Sequence, residues 1–92
     1  MTVGFFDSGI GGISVLEKAA AQLTHNQFLF YADSAHVPYG TKSKKQIIEY
    51  VDHAVAFLHS QGADVIVLAC NTATSAAANY LREKYSFPIL GM

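Results

Sequence analysis

The stretch Val65-Ile66-Val67-Leu68-Ala69-Cys70-Asn71-Thr72 contains the strongest strand signal of the chain and the start of a helix. Its first five residues are apolar and mostly β-branched, which is typical of a strand buried on both faces of a parallel sheet. The Ala-rich segment that follows extends to about Tyr85 and predicts a helix. A buried strand that passes directly into a helix is the repeating unit of α/β folds.

Strands and helices alternate along the rest of the chain. Three further strands are predicted from short β-prone runs at Thr2–Phe6, Gln27–Ala32 and Phe87–Leu90. A first helix is predicted from Ile13 onward, because apolar residues recur there at helical spacing as far as Leu23.

The second helix has the clearest boundaries. Ser43 and Gln46 fit a capping box at its start, and Gly62 is expected to end it. Its predicted apolar face consists of Ile47, Val51, Ala54, Val55 and Leu58. The segment is therefore expected to be an amphipathic helix that packs this face against a sheet.

The resulting βαβαβαβ order predicts an α/β fold in three layers, with a parallel sheet between helices. In such sheets, ligands bind beyond the carboxyl ends of the strands. Three polar segments follow predicted strands and are expected to meet at this edge: Asp7-Ser8, the loop from Asp33 to Thr41, and Cys70-Asn71-Thr72.

The size and charge of the chain exclude several classes of function. With 92 residues, a single domain is expected. The net charge of -1 comes from interspersed acids and bases, so there is no basic patch for nucleic acid or anionic lipid. No apolar run approaches the roughly 20 residues of a transmembrane helix, and the N-terminus lacks a secretory signal pattern. We therefore expect a cytoplasmic protein that binds neither nucleic acid nor membranes.

Cys70 is the only cysteine of the sequence, so it cannot form an internal disulfide. A lone cysteine is often a buried apolar residue without reactivity. At the start of a helix, however, free amide groups and the helix dipole favour a thiolate, which can act as a nucleophile or general base. Asn71 and Thr72 share this ambiguity, since they either cap the helix or bind a carboxylate or carbonyl. For Thr72 and Thr74, capping is the simpler interpretation.

The loop Asp7-Ser8-Gly9-Ile10-Gly11-Gly12 has some likeness to a dinucleotide-binding fingerprint. The match is poor, because Ser14 stands where the third glycine should be and Asp7 would repel a pyrophosphate. A carboxylate and a hydroxyl in a tight loop suit a small ligand with an ammonium group better. In an alternative that can coexist with this one, Asp7 and Ser8 cap the first helix.

The second loop contains Val37-Pro38-Tyr39-Gly40, which ordinary turn formation explains without a ligand. His36 lies near the predicted site, but an exposed loop histidine is the simpler interpretation. The four histidines and the cysteine show no spacing that gathers metal ligands, so no metal site is expected.

Taken together, three segments closely resemble the first part of bacterial glutamate racemases: residues 4–12, 31–40 and 69–75. The resemblance covers essentially the whole chain, with the motifs in the same order and at matching separations. It implies a cofactor-independent enzyme that interconverts L- and D-glutamate and supplies D-glutamate for peptidoglycan.

The same resemblance implies roles for individual residues. Cys70 is one of two catalytic thiols, and Asp7 either assists it or orients the ammonium group of the substrate. The residues implied to contact the substrate are Asp7, Ser8, Tyr39, Gly40, Asn71 and Thr72.

Glutamate racemases carry the opposing cysteine in a Cys-Thr-His segment of their second half, and this sequence contains no such segment. We therefore expect residues 1–92 to be the N-terminal portion of a racemase domain, inactive alone, that forms a homodimer or pairs with a complementing C-terminal half. An aspartate racemase or another cysteine-pair isomerase is one alternative. An inert chain or a small-molecule binding module is the other.

Overall fold

A computed structural model describes residues 1–9, 13–22 and 25–91 of the chain. Side chains are described for the same residues except 13–15. The strands and helices are β1 (Thr2–Asp7), α1 (Ile13–Gln22), β2 (Gln27–Ala32), α2 (Lys44–Ser60), β3 (Val65–Leu68), α3 (Asn71–Lys84) and β4 (Ile89–Gly91). Two short 3-10 turns, Ser34–His36 and Tyr39–Thr41, lie in the loop between β2 and α2. The predicted alternation of strands and helices is confirmed.

All strand pairs are parallel, and the strands lie in the order β2-β1-β3-β4. From β1 the chain passes to β2 on one side, and then crosses over β1 to form β3 and β4 on the other side. Because parallel crossovers are right-handed, this reversal places α1 on one face of the sheet and both α2 and α3 on the other. The helices α2 and α3 also pack against each other. The predicted three-layer α/β fold is therefore confirmed.

The described core lies mainly between the sheet and α2 with α3. The buried residues of α2 are the five that the sequence predicted, Ile47, Val51, Ala54, Val55 and Leu58. They face strand residues that include Phe6, Ile66 and Leu68, all of them fully buried. The predicted capping box at the start of α2 is present, and Gly62, just beyond its end, has a φ of 105°, in the left-handed region that favours glycine.

Several predicted boundaries differ by one or two residues from those of the structure. Strand β1 includes Asp7, because the backbone amide of Asp33 donates a hydrogen bond to the Asp7 carbonyl at 2.9 Å and extends the β1–β2 pairing. Strand β4 begins at Ile89, two residues later than predicted. The glycines at 11 and 12, the residue Leu23 and the proposed capping of the first helix lie outside the described residues.

Among the residues that the structure describes, no helix combines the length and apolar character that crossing a membrane requires.

Candidate active site

The strands β1 and β3 are neighbours, so the residues that follow them meet at the carboxyl edge of the sheet. Ser8 follows β1 and Cys70 lies two residues after β3. The Ser8 Oγ and Cys70 Sγ atoms are 3.4 Å apart, a hydrogen-bonding distance at which either group can donate. Two segments that are 62 residues apart in sequence are thus in contact at this edge.

Cys70 occupies the N-cap position of α3 and is half-buried. Its side chain makes no capping hydrogen bond, so the thiol is available at the helix start. The first-turn amides of α3 and the positive end of its dipole favour an anion at this position. Both interpretations from the sequence, a reactive thiol and an inert apolar residue, stay predictions at this position.

The capping interpretation of Thr74 is wrong. Its hydroxyl donates to the carbonyl oxygens of Cys70, at 3.0 Å, and Leu68, at 3.4 Å, and Thr74 lies inside the helix and not at its N-cap. Thr72 lies nearer the helix start and is exposed. The N-cap itself is Cys70, one residue before Asn71.

A cavity of about 540 Å³ opens between the starts of α2 and α3, and Cys70 is not among the residues that line it. It is lined by Asn71, Thr72, Ser75, Ala76, Lys44 and Ile47. Of these, the sequence singled out Asn71 and Thr72 and missed Ser75 and Lys44. Ser75 lies one turn after Asn71 on the same helix face, so helical spacing was the signal that could have found it.

Asp7 is the last residue of β1 and is only 6% exposed. It precedes Ser8, whose hydroxyl contacts the Cys70 thiol. The structure thus brings Asp7, Ser8, Cys70, Asn71 and Thr72 to one edge of the sheet, and Asn71 and Thr72 also line the cavity.

Tyr39 and Gly40 lie in the second 3-10 turn of the loop that follows β2. Tyr39 is 3% exposed, and its hydroxyl donates a hydrogen bond to Asp33 Oδ2 at 2.6 Å. Burial, and then this hydrogen bond, raise the pKa of Tyr39 far above its usual value. The Tyr39 hydroxyl is therefore occupied inside the protein, whereas Gly40 is exposed, with no atom within 4 Å of the position of a Cβ.

Asp33 is the residue of this loop that sequence reasoning missed. It is buried and accepts from Tyr39 while its Oδ1 lies 2.7 Å from His36 Nδ1. The His36 side chain is 44% exposed, and its ring also stacks on Tyr50 with centroids 3.8 Å apart. The available signal was the position of Asp33 directly after a strand, the same position that drew attention to Ser8.

Within the described ranges, no three His, Cys, Asp or Glu residues are grouped so that they could hold a metal ion. His59, on α2, instead stacks on Phe87 with ring centroids 4.3 Å apart, and its Nδ1 lies 3.1 Å from the Ala63 carbonyl oxygen.

Comparison with known proteins gives a consistent result. The sequence profile of the Asp/Glu/hydantoin racemase family matches residues 10–92. A glutamate racemase of Campylobacter curvus is 58% identical over the whole chain, and one of Lachnospira eligens is 55% identical. In both cases the chain spans 35% of the relative's length.

The solved structures that resemble this chain include glutamate racemases. The glutamate racemase of Aquifex pyrophilus matches 99% of this chain with a TM-score of 0.95 and 40% identity, over 36% of its own length. That of Thermus thermophilus, in complex with β-chloro-D-alanine, matches 98% of this chain and 35% of its own length with a TM-score of 0.91 and 42% identity. The chain belongs to the Asp/Glu/hydantoin racemase family.

Proposed function

We propose that Cys70 is one of the two catalytic thiols of a glutamate racemase that interconverts L- and D-glutamate without a cofactor. The contact between the Ser8 hydroxyl and the Cys70 thiol, at the start of α3, is the observation that carries the proposal. The names of the matched relatives support glutamate as the substrate. The reaction would supply D-glutamate for peptidoglycan.

The chemistry needs one thiol on each face of the substrate. Cys70, as a thiolate, removes the weakly acidic α-proton, and a second thiol donates a proton to the opposite face. The sequence has only one cysteine. The second thiol therefore has to come from the remaining two thirds of a racemase, and residues 1–92 form the N-terminal portion of its domain.

The residues around Cys70 suit the other needs of the reaction. Asn71, Thr72 and the first-turn amides of α3 bind the α-carboxylate and stabilise the negative charge that develops on it. Asp7 and Ser8 face the ammonium group, where Asp7 orients the substrate or assists the thiol. Gly40 and the backbone of Tyr39 form the loop side of the site.

A first experiment examines the chain alone. We expect the purified 92-residue chain to leave the optical rotation of L-glutamate unchanged, because the opposing thiol is missing. Time-dependent loss of optical rotation would contradict the two-thiol mechanism.

A second experiment supplies the missing part. The first third of the Campylobacter curvus glutamate racemase is replaced by this chain, and racemisation is measured with L-glutamate and with L-aspartate. We expect activity with glutamate and a decrease of about 10²- to 10⁴-fold in kcat upon Cys70→Ser. The exposed Ser86→Ala serves as the control. Activity with aspartate alone would indicate an aspartate racemase, and a folded but inactive chimera would indicate an inert module.

A further inference from the structure

The last described residue, Gly91, lies against the first turn of α3. A Cβ atom at position 91 would overlap the methyl carbon of Thr74 and would lie 3.2 Å from its Oγ1. Gly91 is exposed, and its φ is not among the positive values of the described glycines. Position 91 therefore requires glycine because Thr74 occupies the space that a side chain would need. Neither burial nor backbone conformation explains this requirement.

Thr74 in turn is tied to the segment that carries the thiol. Its Oγ1 donates to the carbonyl oxygens of Cys70 and Leu68, and its backbone amide donates to the Cys70 carbonyl at 3.0 Å. These carbonyls lie on either side of Ala69, at the point where β3 passes into α3. A displacement of Thr74 would therefore move this segment and, with it, the Cys70 thiol.

The thiol has little room for such a movement. Its 3.4 Å contact with Ser8 joins α3 to the end of β1, and hydrogen bonds lose strength rapidly with distance. A series of contacts thus crosses the neighbouring strands β4, β3 and β1. It runs from Gly91 to Thr74, from Thr74 to Cys70, and from Cys70 to Ser8.

We propose that Gly91 and Thr74 are positioning residues that hold the Cys70 thiol against Ser8. Because Gly91 has no side chain, β4 can approach α3 closely. The hydrogen bonds of the Thr74 hydroxyl then hold the turn that carries Cys70 in place. The effect of Gly91 and Thr74 on racemisation rests on the proposed function. Their effect on the position of the thiol does not, because it is measured by the reactivity of Cys70.

The test is the rate of Cys70 alkylation by iodoacetamide in the folded 92-residue chain at fixed pH. In Gly91→Ala we expect alkylation about fivefold slower, the factor that corresponds to the loss of one ordinary hydrogen bond to the thiolate. Thr74→Ser keeps the hydroxyl and removes the methyl carbon that the added Cβ at position 91 would overlap. The double variant Gly91→Ala with Thr74→Ser should therefore recover a rate within about twofold of the original.

Two further variants separate positioning from a general loss of structure. Ser8→Ala should slow alkylation, and Gly91→Ala added to it should have no further effect, because both changes remove the same contact. Ser86→Ala changes an exposed residue between α3 and β4 and should leave the rate unchanged. A chain that is merely destabilised would expose the thiol and react faster.

The proposal is overturned if Gly91→Ala reacts at the original rate or faster, or if Thr74→Ser fails to rescue it. If Gly91→Ala does not fold, Thr74→Val decides, since it keeps the shape and removes the hydroxyl. An unchanged rate in Thr74→Val would then overturn the proposal, and a rate about fivefold slower would support it.

Discussion

Asp33 organises the loop between β2 and α2 through two ring partners. One carboxylate oxygen accepts from the Tyr39 hydroxyl at 2.6 Å, and the other lies 2.7 Å from His36 Nδ1. Tyr39 is buried against Phe6 and Tyr50, so the loop is attached to the core by an aromatic side chain and to the end of β2 by a carboxylate. This attachment determines where Gly40 lies relative to the rest of the candidate site.

Asp33→Ala is therefore expected to lower the free energy of unfolding by about 1–3 kcal/mol, because it leaves the buried Tyr39 hydroxyl without its acceptor. Urea denaturation of the chain measures the change. The control is the double variant with Tyr39→Phe, which removes both partners and should cost less than the two single changes together. Additive costs would contradict a direct dependence of Tyr39 on Asp33.

The same buried tyrosine determines the response to alkaline pH. Burial and the hydrogen bond to Asp33 raise the pKa of Tyr39, and burial and a hydrogen bond to Asp52 raise the pKa of Tyr85. Unfolded tyrosines ionise at about pH 10, so above this pH the unfolded chain loses protons that the folded chain keeps. The stability contributed by these groups is complete below about pH 10 and is lost as the pH rises toward their folded pKa.

We accordingly expect the free energy of unfolding to decrease as the pH rises above about 10, and to decrease less steeply in Tyr39→Phe. Urea denaturation at a series of pH values compares the two slopes. Equal slopes in the original chain and the variant would show that Tyr39 does not retain its proton in the folded state.

At the scale of elements, the C-terminal end of α3 is joined to the middle of α2, away from the candidate site. Asp52 of α2 accepts from the Tyr85 hydroxyl and from Lys84 Nζ, both at 2.6 Å. Lys84 is largely exposed, so solvent screens its ion pair, whereas Tyr85 is half-buried and its hydrogen bond is the more stabilising contact. At the other end, the two helix starts are left apart and form the cavity lined by Lys44 and Asn71.

The start of α2 depends on its capping box. Ser43 Oγ accepts from the Gln46 amide at 3.2 Å, and the Gln46 side chain accepts from the Ser43 amide at 3.0 Å. Ser43→Ala is expected to lower the free energy of unfolding by about 1 kcal/mol. Thermal or urea denaturation measures it, and Ser86→Ala at an exposed position is the control. A loss no larger than that of the control would mean that the cap does not stabilise α2.

The elements that the sequence predicted best are those whose signals are local. The capping box and apolar face of α2 depend only on neighbouring residues, so periodicity and cap chemistry were sufficient. The strand order was not predicted, because the sequence pattern identifies strands but not which of them are neighbours. The topology predicted that polar segments meet at the carboxyl edge of the sheet, and the Ser8–Cys70 contact joins two of these segments. The role of Gly91 depends on its contact with Thr74 of another element, which no local pattern reveals, whereas Asp33 contacts His36 and Tyr39 of its own loop.

At the scale of the whole molecule, the sheet has β4 at one edge, where the described part of the chain pairs it only with β3. Leu90 on this strand is 55% exposed. An exposed apolar edge strand is a template for pairing with another chain. A chain of this size also buries only about 60 to 68% of its unfolded surface, so it has little stability in reserve. The homodimer, or the complex with a C-terminal half, stays a prediction, and the β4 edge is the surface on which to test it.

We therefore expect the purified chain to associate as its concentration rises, and Leu90→Lys to shift it toward the monomer, because a charge on an edge strand opposes pairing. Sedimentation velocity across a concentration series measures the distribution. Tyr80→Lys, which introduces the same charge at an exposed position on the surface of α3, is the matched control and should leave association unchanged. If Tyr80→Lys dissociates the chain while Leu90→Lys does not, the contact lies on the helical layer and the β4 edge is not the surface that binds a second chain.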